Sequence, residues 1–180
     1  MLARYSTDQY TDWAVDVING EGRPEDKPWY LWLCYGAVHS PFTPAERHLD
    51  DYAGIDFDTP QDVFGPRPGK PAWAQKVSHW SRGPNGTPFF RGRSITSWVR
   101  QYHQGVLGRD EGIAKVLAAL EKSGQKDNTL VVFTSDQGLA WGQHGFRGTK
   151  IAAYDSNIRS PLIISMPSRR KKNGEFKDVA

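Results

Sequence analysis

Asp136 and Gln137, adjacent in Thr134-Ser-Asp-Gln-Gly138, place a carboxylate and an amide carbonyl side by side directly after an apolar run. Both are hard oxygen donors, the kind that Ca²⁺ or Mg²⁺ takes in preference to softer metals. His39 stands in the same relation to an earlier apolar run, in Gly36-Ala-Val-His-Ser-Pro41. An imidazole there can bind an anion when charged, or move a proton. In open parallel sheets ligands bind beyond the carboxyl ends of the strands, which is where both clusters fall if the apolar runs are strands. Taken alone, each also has a plain reading. Asp-Gln-Gly is common turn chemistry, and a histidine before Ser-Pro-Phe is an ordinary loop residue.

The elements that must position these groups are legible in the patterning. Ser6 and Gln9 have capping-box spacing, and Tyr10, Trp13, Ala14, Val17 and Ile18 then repeat at helical intervals up to a stop at Gly20. Trp29 to Tyr35 is apolar on both faces, as a strand buried between two helical layers requires, and makes Cys34 a core residue. Residues 53–90 are rich in proline and glycine and predict a long irregular excursion. Ile95, Val99, Tyr102, Val106, Ile113, Val116, Leu117 and Leu120 mark a long amphipathic helix closed by Gly124. Asn128 to Phe133 predicts a second buried strand, and Leu162 to Ser165 a third. Helix, strand, helix, strand in this order predicts an α/β fold with a mostly parallel sheet flanked by helices.

Composition bounds the rest. The 180 residues suffice for one domain with a real core, and 38% hydrophobic with 24% charged residues is ordinary for a globular chain. A formal net charge of +3 gives no whole-surface field for nucleic acid, and the apolar runs are too short to span a bilayer. A single cysteine excludes an intrachain disulfide. The expectation is a protein with neither nucleic-acid nor membrane partners; oligomeric state is not legible.

Four segments carry a family resemblance: Lys27-Pro-Trp-Tyr-Leu-Trp-Leu-Cys-Tyr-Gly-Ala-Val-His-Ser-Pro-Phe42, Asn128-Thr-Leu-Val-Val-Phe-Thr-Ser-Asp-Gln-Gly138, Gly142-Gln-His-Gly145, and Lys150 followed by Tyr154 and Ile158-Arg-Ser-Pro-Leu-Ile-Ile164. In order and spacing this pattern resembles the sulfatases, arylsulfatase-like members of the alkaline phosphatase superfamily. The resemblance covers most of the chain outside 53–90. It implies a hydrolase acting on sulfuric esters, with a sulfated small molecule or carbohydrate as substrate. By the same resemblance Asp136 and Gln137 are ligands of a divalent cation, usually Ca²⁺. Lys150 contacts the sulfate group, and His39 binds sulfate or donates a proton beside the leaving oxygen. His144 either lines the pocket or holds its loop. Such chemistry needs these types because charge builds on the non-bridging and leaving oxygens, where a metal and fixed cations stabilise it.

The resemblance also implies a formylglycine nucleophile matured from Cys or Ser in C/S-x-P-x-R, followed by Thr-Gly, beside paired aspartates. Cys34 is followed by Tyr-Gly-Ala-Val and does not qualify. Ser165-Met-Pro-Ser-Arg169 matches the letters, but it follows the third strand and Lys171-Lys-Asn-Gly174 stands where Thr-Gly belongs. The chain therefore reads as one partial catalytic domain over residues 1–180, an incomplete α/β sheet and an internal fragment inactive alone. A small incomplete sheet is expected to expose an edge and apolar surface. The alternatives are a phosphodiesterase or phosphonate monoester hydrolase of the same superfamily, and a non-catalytic remnant. Among weaker features, Arg91, Arg93, Trp73 and Trp80 suggest a rim for an anionic, sugar-like substrate, or else a solvated loop. Asn85-Gly-Thr87 is a glycosylation sequon weakened by Pro88, and Arg169 to Lys172 a solvated basic turn.

Overall fold

The computed structural model describes residues 4–166; the basic turn at Arg169 to Lys172 and all of the Ser165-to-Arg169 match beyond Met166 lie outside them. In chain order the elements are α1 (Ser6–Ile18), α2 (Ala72–Gln75), β1 (Ser81–Arg82), β2 (Pro88–Phe90), β3 (Arg93–Ser94), α3 (Ile95–Lys122), β4 (Val131–Thr134), β5 (Ala140–Trp141), β6 (Arg147–Thr149), α4 (Asp155–Ile158) and β7 (Leu162–Ser165). Among the described residues they fall into two compact units, 4–36, 109–134 and 161–166 in the first, and 37–108 and 135–160 in the second.

In the first unit, α1 starts after Tyr5 with no side-chain cap, so the Ser6–Gln9 box is not formed. The face it buries is Thr7, Thr11, Ala14 and Ile18, while Trp13 is 55% exposed and pairs with Tyr10 at the surface. Threonine can line a buried helix face here because the Thr11 hydroxyl donates to the Thr7 carbonyl (2.8 Å). Ile18 packs with Ala119 and Leu120 of α3, joined by Val15, Trp29, Val116 and Val131. The helix ends are tied by Gln125, just past Gly124 (φ +71°). Its amide donates to the Ile18 carbonyl (2.9 Å) and its carbonyl accepts from the Trp29 indole (2.9 Å).

The mix of helices and strands conforms to the α/β class, but every ladder among the described residues is antiparallel. β4 and β7 form an antiparallel ladder with Val132 opposite Ile164 and Phe133 opposite Ile163. Residues 29–35 join no ladder among the described residues. Tyr30 and Trp32 are 81% and 76% exposed, and Cys34 is exposed rather than a core residue. Val132, Leu162, Ile163 and Ile164 are also more than half exposed. The reading of doubly buried strands assumed a layer on each face; residues 29–35 and β4 are uncovered on one face and β7 on both, as expected of a small, incomplete sheet.

In the second unit the excursion over 53–90 is irregular but packed. Arg67, 2% exposed, is its hub. Its guanidinium donates to the carbonyls of Asp62, Val63, Ala74 and Val77 at 2.8–3.1 Å. Gly145 must be glycine beside it, since an added Cβ would lie 2.2 Å from an Arg67 nitrogen and 2.9 Å from the Val77 carbonyl oxygen. Val63, Trp80 and Ile95 form the core of this unit, with the Trp80 indole donating to the Phe146 carbonyl (2.9 Å). Trp80 is thus a core residue and not part of a rim. No helix among the described residues is long and apolar enough to cross a membrane.

Candidate metal and sulfate site

β5 and β6 form a short antiparallel ribbon with Ala140 opposite Thr149 and Trp141 opposite Arg147. Two strands joined by a tight turn bring their outer ends back together. Asp136 precedes β5 and Lys150 follows β6, so residues distant in sequence meet, the Lys150 ammonium lying 3.8 Å from an Asp136 oxygen. The Asp136 side chain is 75% exposed and the Lys150 side chain 35%, leaving the pair open to a ligand.

The turn holding Asp136 is fixed locally. The Gln137 N–H donates to Asp136 Oδ1 (3.0 Å), and the Ser135 hydroxyl lies 3.3 Å from the same oxygen and 3.1 Å from the Gln137 carbonyl. These bonds occupy one face of the carboxylate and leave Oδ2 toward Lys150. The next residue must be glycine, because a Cβ on Gly138 would stand 2.3 Å from the Ser156 carbonyl oxygen. That approach lets the Gly138 N–H donate to the Asn157 carbonyl (2.8 Å).

Asn157, 1% exposed, connects the two halves of the site. While its backbone carbonyl holds the Asp136 turn, its side-chain amide donates to the carbonyl of Thr149, the residue before Lys150 (2.8 Å). The Ser156 hydroxyl in turn donates to its Oδ1 (2.9 Å). Nothing in the chain's patterning singles Asn157 out. A polar residue in a four-residue helix has no pattern of its own, and only its position beside Tyr154 and Arg159 could have drawn attention to it.

His144 is engaged within its own loop. Its Nδ1 lies 2.5 Å from Asp62 Oδ2, its backbone N–H donates to Asp62 Oδ1 (3.1 Å), and its ring packs on Tyr154 with centroids 4.1 Å apart. Asp62 is likewise hidden in the excursion, with no motif to mark it. His39 lies in an exposed loop of the same unit, where its Nδ1–H donates to the Ser40 carbonyl (3.0 Å). A carbonyl can only accept, so Nδ1 carries the proton and Nε2 is the nitrogen left for a ligand. The structure gives no direct contact between His39 and the Asp136–Lys150 pair.

As metal ligands, Asp136 and Gln137 have the right chemistry but are few. Ca²⁺ takes about six to eight oxygens. No cluster of three or more His, Cys, Asp or Glu side chains gathers for a metal among the described residues. The donor set therefore fits part of a hard-cation site.

A concavity of about 370 Å³ in the same unit is lined by Ser40, Pro41 and Thr43, next to His39, and by Arg91, Arg93 and Arg147 around Phe90 and Trp98. Trp73 is not part of it; that ring pairs with Tyr154 at 6.3 Å.

Comparison with known proteins bears on the family of the chain. The chain is 27% identical to an N-acetylglucosamine-6-O-sulfatase of Bacteroides thetaiotaomicron, covering 93% of this chain and 39% of the relative. It is 30% identical to an ulvan-active sulfatase of Formosa agariphila, covering 84% of this chain and 30% of the relative. A solved structure in complex with its substrate, D-glucosamine-2-N,6-O-disulfate, superposes with a TM-score of 0.76 at 25% identity, covering 91% of this chain and 43% of that one. The chain thus spans less than half the length of these relatives. The profile of the Sulfatase family matches residues 2–178, and the chain belongs to that family.

Proposed function

We propose that this chain contributes the metal-and-sulfate-holding part of an active site that hydrolyses sulfate esters of a carbohydrate. The observation that carries the reading is the Asp136–Lys150 pair, 3.8 Å apart and tied through Asn157. It puts a hard anionic donor, which would hold a metal, and a cation, which would hold a sulfate, on one ligand-accessible spot. The sulfated amino sugars named for two of the relatives support a sugar substrate.

Sulfatases generally use a divalent metal. We infer Ca²⁺, with Asp136 and Gln137 among its ligands, because an amide oxygen beside a carboxylate suits a hard cation better than a histidine-seeking one. Bound there, the cation would neutralise charge growing on the sulfate oxygens. Lys150, beside Asp136, would bind the sulfate and hold its remaining charge. His39, with Nδ1–H committed to Ser40, meets the leaving oxygen through Nε2 and gives it a proton from its charged form. His144 stays with Asp62 and keeps the 142–146 turn in place. Cys34 is not followed by x-P-x-R, and Ser165-Met-Pro-Ser-Arg169 lacks the following Thr-Gly, so we place the formylglycine nucleophile outside this chain, which binds without cleaving.

The test is calorimetric titration of the purified 180-residue chain with CaCl₂ and with glucosamine 6-sulfate, beside a para-nitrophenyl sulfate assay. Asp136→Ala should abolish Ca²⁺ binding, and Lys150→Gln should weaken the sugar sulfate about tenfold, the loss of one charged hydrogen bond. Binding indifferent to both changes refutes the reading. Turnover by the purified chain refutes the assignment of the nucleophile elsewhere.

A further inference from the structure

Arg91, Arg93 and Arg147 converge on two aromatic rings. The Arg147 guanidinium stands 3.6 Å from the Phe90 centroid and 5.9 Å from that of Trp98, Arg91 lies 5.4 Å from Phe90, and Arg93 lies 4.3 Å from Trp98. Arg93 is held in place, donating to Gln101 Oε1 (2.7 Å) and to the Ser97 hydroxyl (3.1 and 3.2 Å). None of the three is paired with a carboxylate among the described residues, although acidic partners serve His48, Lys126, His144, Lys150 and Arg159. Arg147 is pushed below the ordinary arginine range by burial and by the neighbouring charge of Arg91. Like charges gathered without a counterion destabilise one another, and ring faces offset that only in part. An anion placed among them removes the repulsion and meets guanidinium forks suited to oxyanions.

The surroundings say where that anion comes from. One wall of the concavity is Ser40 and Pro41, directly after His39. Another is Arg147 in β6, three residues before Lys150, and a second concavity continues past it along Gly148 and Thr149 to His79. We propose that Arg91, Arg93 and Arg147 form a second anion subsite, which takes a sulfate or carboxylate group of a saccharide other than the ester held at Lys150. The substrate class is then a polyanionic saccharide rather than a sugar with one sulfate. This rests on the proposed role of Lys150.

Calorimetric titration of the chain with glucosamine 6-sulfate, glucosamine 2,6-disulfate and a 6-sulfated disaccharide bearing a uronic acid tests it. At least one doubly charged ligand should bind about tenfold or more tightly than the monosulfate, and which one does so identifies the group recognised. That ratio should fall toward one in Arg91→Gln and in Arg147→Gln. Arg91 is exposed, so its variant keeps the fold even where Arg147→Gln does not, and Arg147→Lys keeps the charge but loses the fork. A ratio near one in the unaltered chain, or one unmoved by Arg91→Gln, overturns the second subsite. Monosulfate binding indifferent to Lys150→Gln instead overturns the function on which it rests.

Discussion

Asn157→Ala tests whether the site is positioned by a buried hydrogen bond or by the ion pair across it. The Asp136–Lys150 pair is solvent-exposed at 3.8 Å, and such pairs contribute about 0–1 kcal/mol. The Asn157 amide is 1% exposed and donates to the Thr149 carbonyl at 2.8 Å; removing it strands that carbonyl at a cost of about 1–3 kcal/mol. The buried bond is the stronger of the two interactions, so it and not the ion pair fixes Lys150 relative to the Asp136 turn. Thermal unfolding of Asn157→Ala should show a loss of about 1–3 kcal/mol. Titration with glucosamine 6-sulfate at a temperature where the variant is folded should show affinity reduced by roughly 5- to 150-fold, if the whole of that free energy is expressed in binding. Lys150→Gln in the Asn157→Ala background should then cost less than in the unaltered chain, because the two act through one geometry. A variant that loses stability but binds unchanged, or one in which the two losses simply add, refutes the reasoning and leaves Asn157 a packing residue.

Other consequences are equally direct. Arg67→Met strands the carbonyls of Asp62, Val63, Ala74 and Val77, and should cost about 3 kcal/mol or more in thermal unfolding, with the Trp80 fluorescence losing its buried character first. Burial lifts the Tyr35 phenol above its ordinary 10.0, more than the nearby Arg109 charge lowers it. A raised folded value means the stability is intact below pH 10.0 and is lost as the pH rises through the folded value, where the unfolded chain ionises first. Tyr35→Phe should therefore be about 1 kcal/mol less stable at neutral pH, from the lost Thr11 bond, yet decline less above pH 10.0 in a chemical unfolding series. The exposed apolar side chains Trp32, Val132 and Ile164 should bind a hydrophobic dye strongly; Trp32→Lys should reduce both that signal and aggregation, and an unchanged signal would place the dye elsewhere.

Chemistry and periodicity were legible in the chain itself. Helical spacing from Ile95 to Leu120 and the stop at Gly124 correspond to α3, because a 28-residue amphipathic pattern repeats often enough to be read without context. Leu162 to Ser165 corresponds to β7, and the order of motifs from Lys27 to Ile164 pointed to the family that the profile match shows. Asp136, Gln137 and Lys150 stood out by type and motif. Burial was less legible, since an apolar run states what a face prefers and not whether anything covers it. Trp29 to Tyr35 has the pattern of a buried strand, and instead Tyr30, Trp32 and Cys34 are exposed. Irregular segments were least legible. Nothing periodic marks Arg67, Asp62 or Asn157, whose roles are hydrogen bonds to backbone groups distant in sequence. Sequence thus determined which groups are available to hold a cation or an oxyanion, because side-chain type and local spacing are properties of the chain. Tertiary structure alone decided which of them meet: Asp136 faces Lys150 because an antiparallel ribbon turns back and a buried asparagine joins its ends, and distances of that kind are set by backbone path, not by order along the chain.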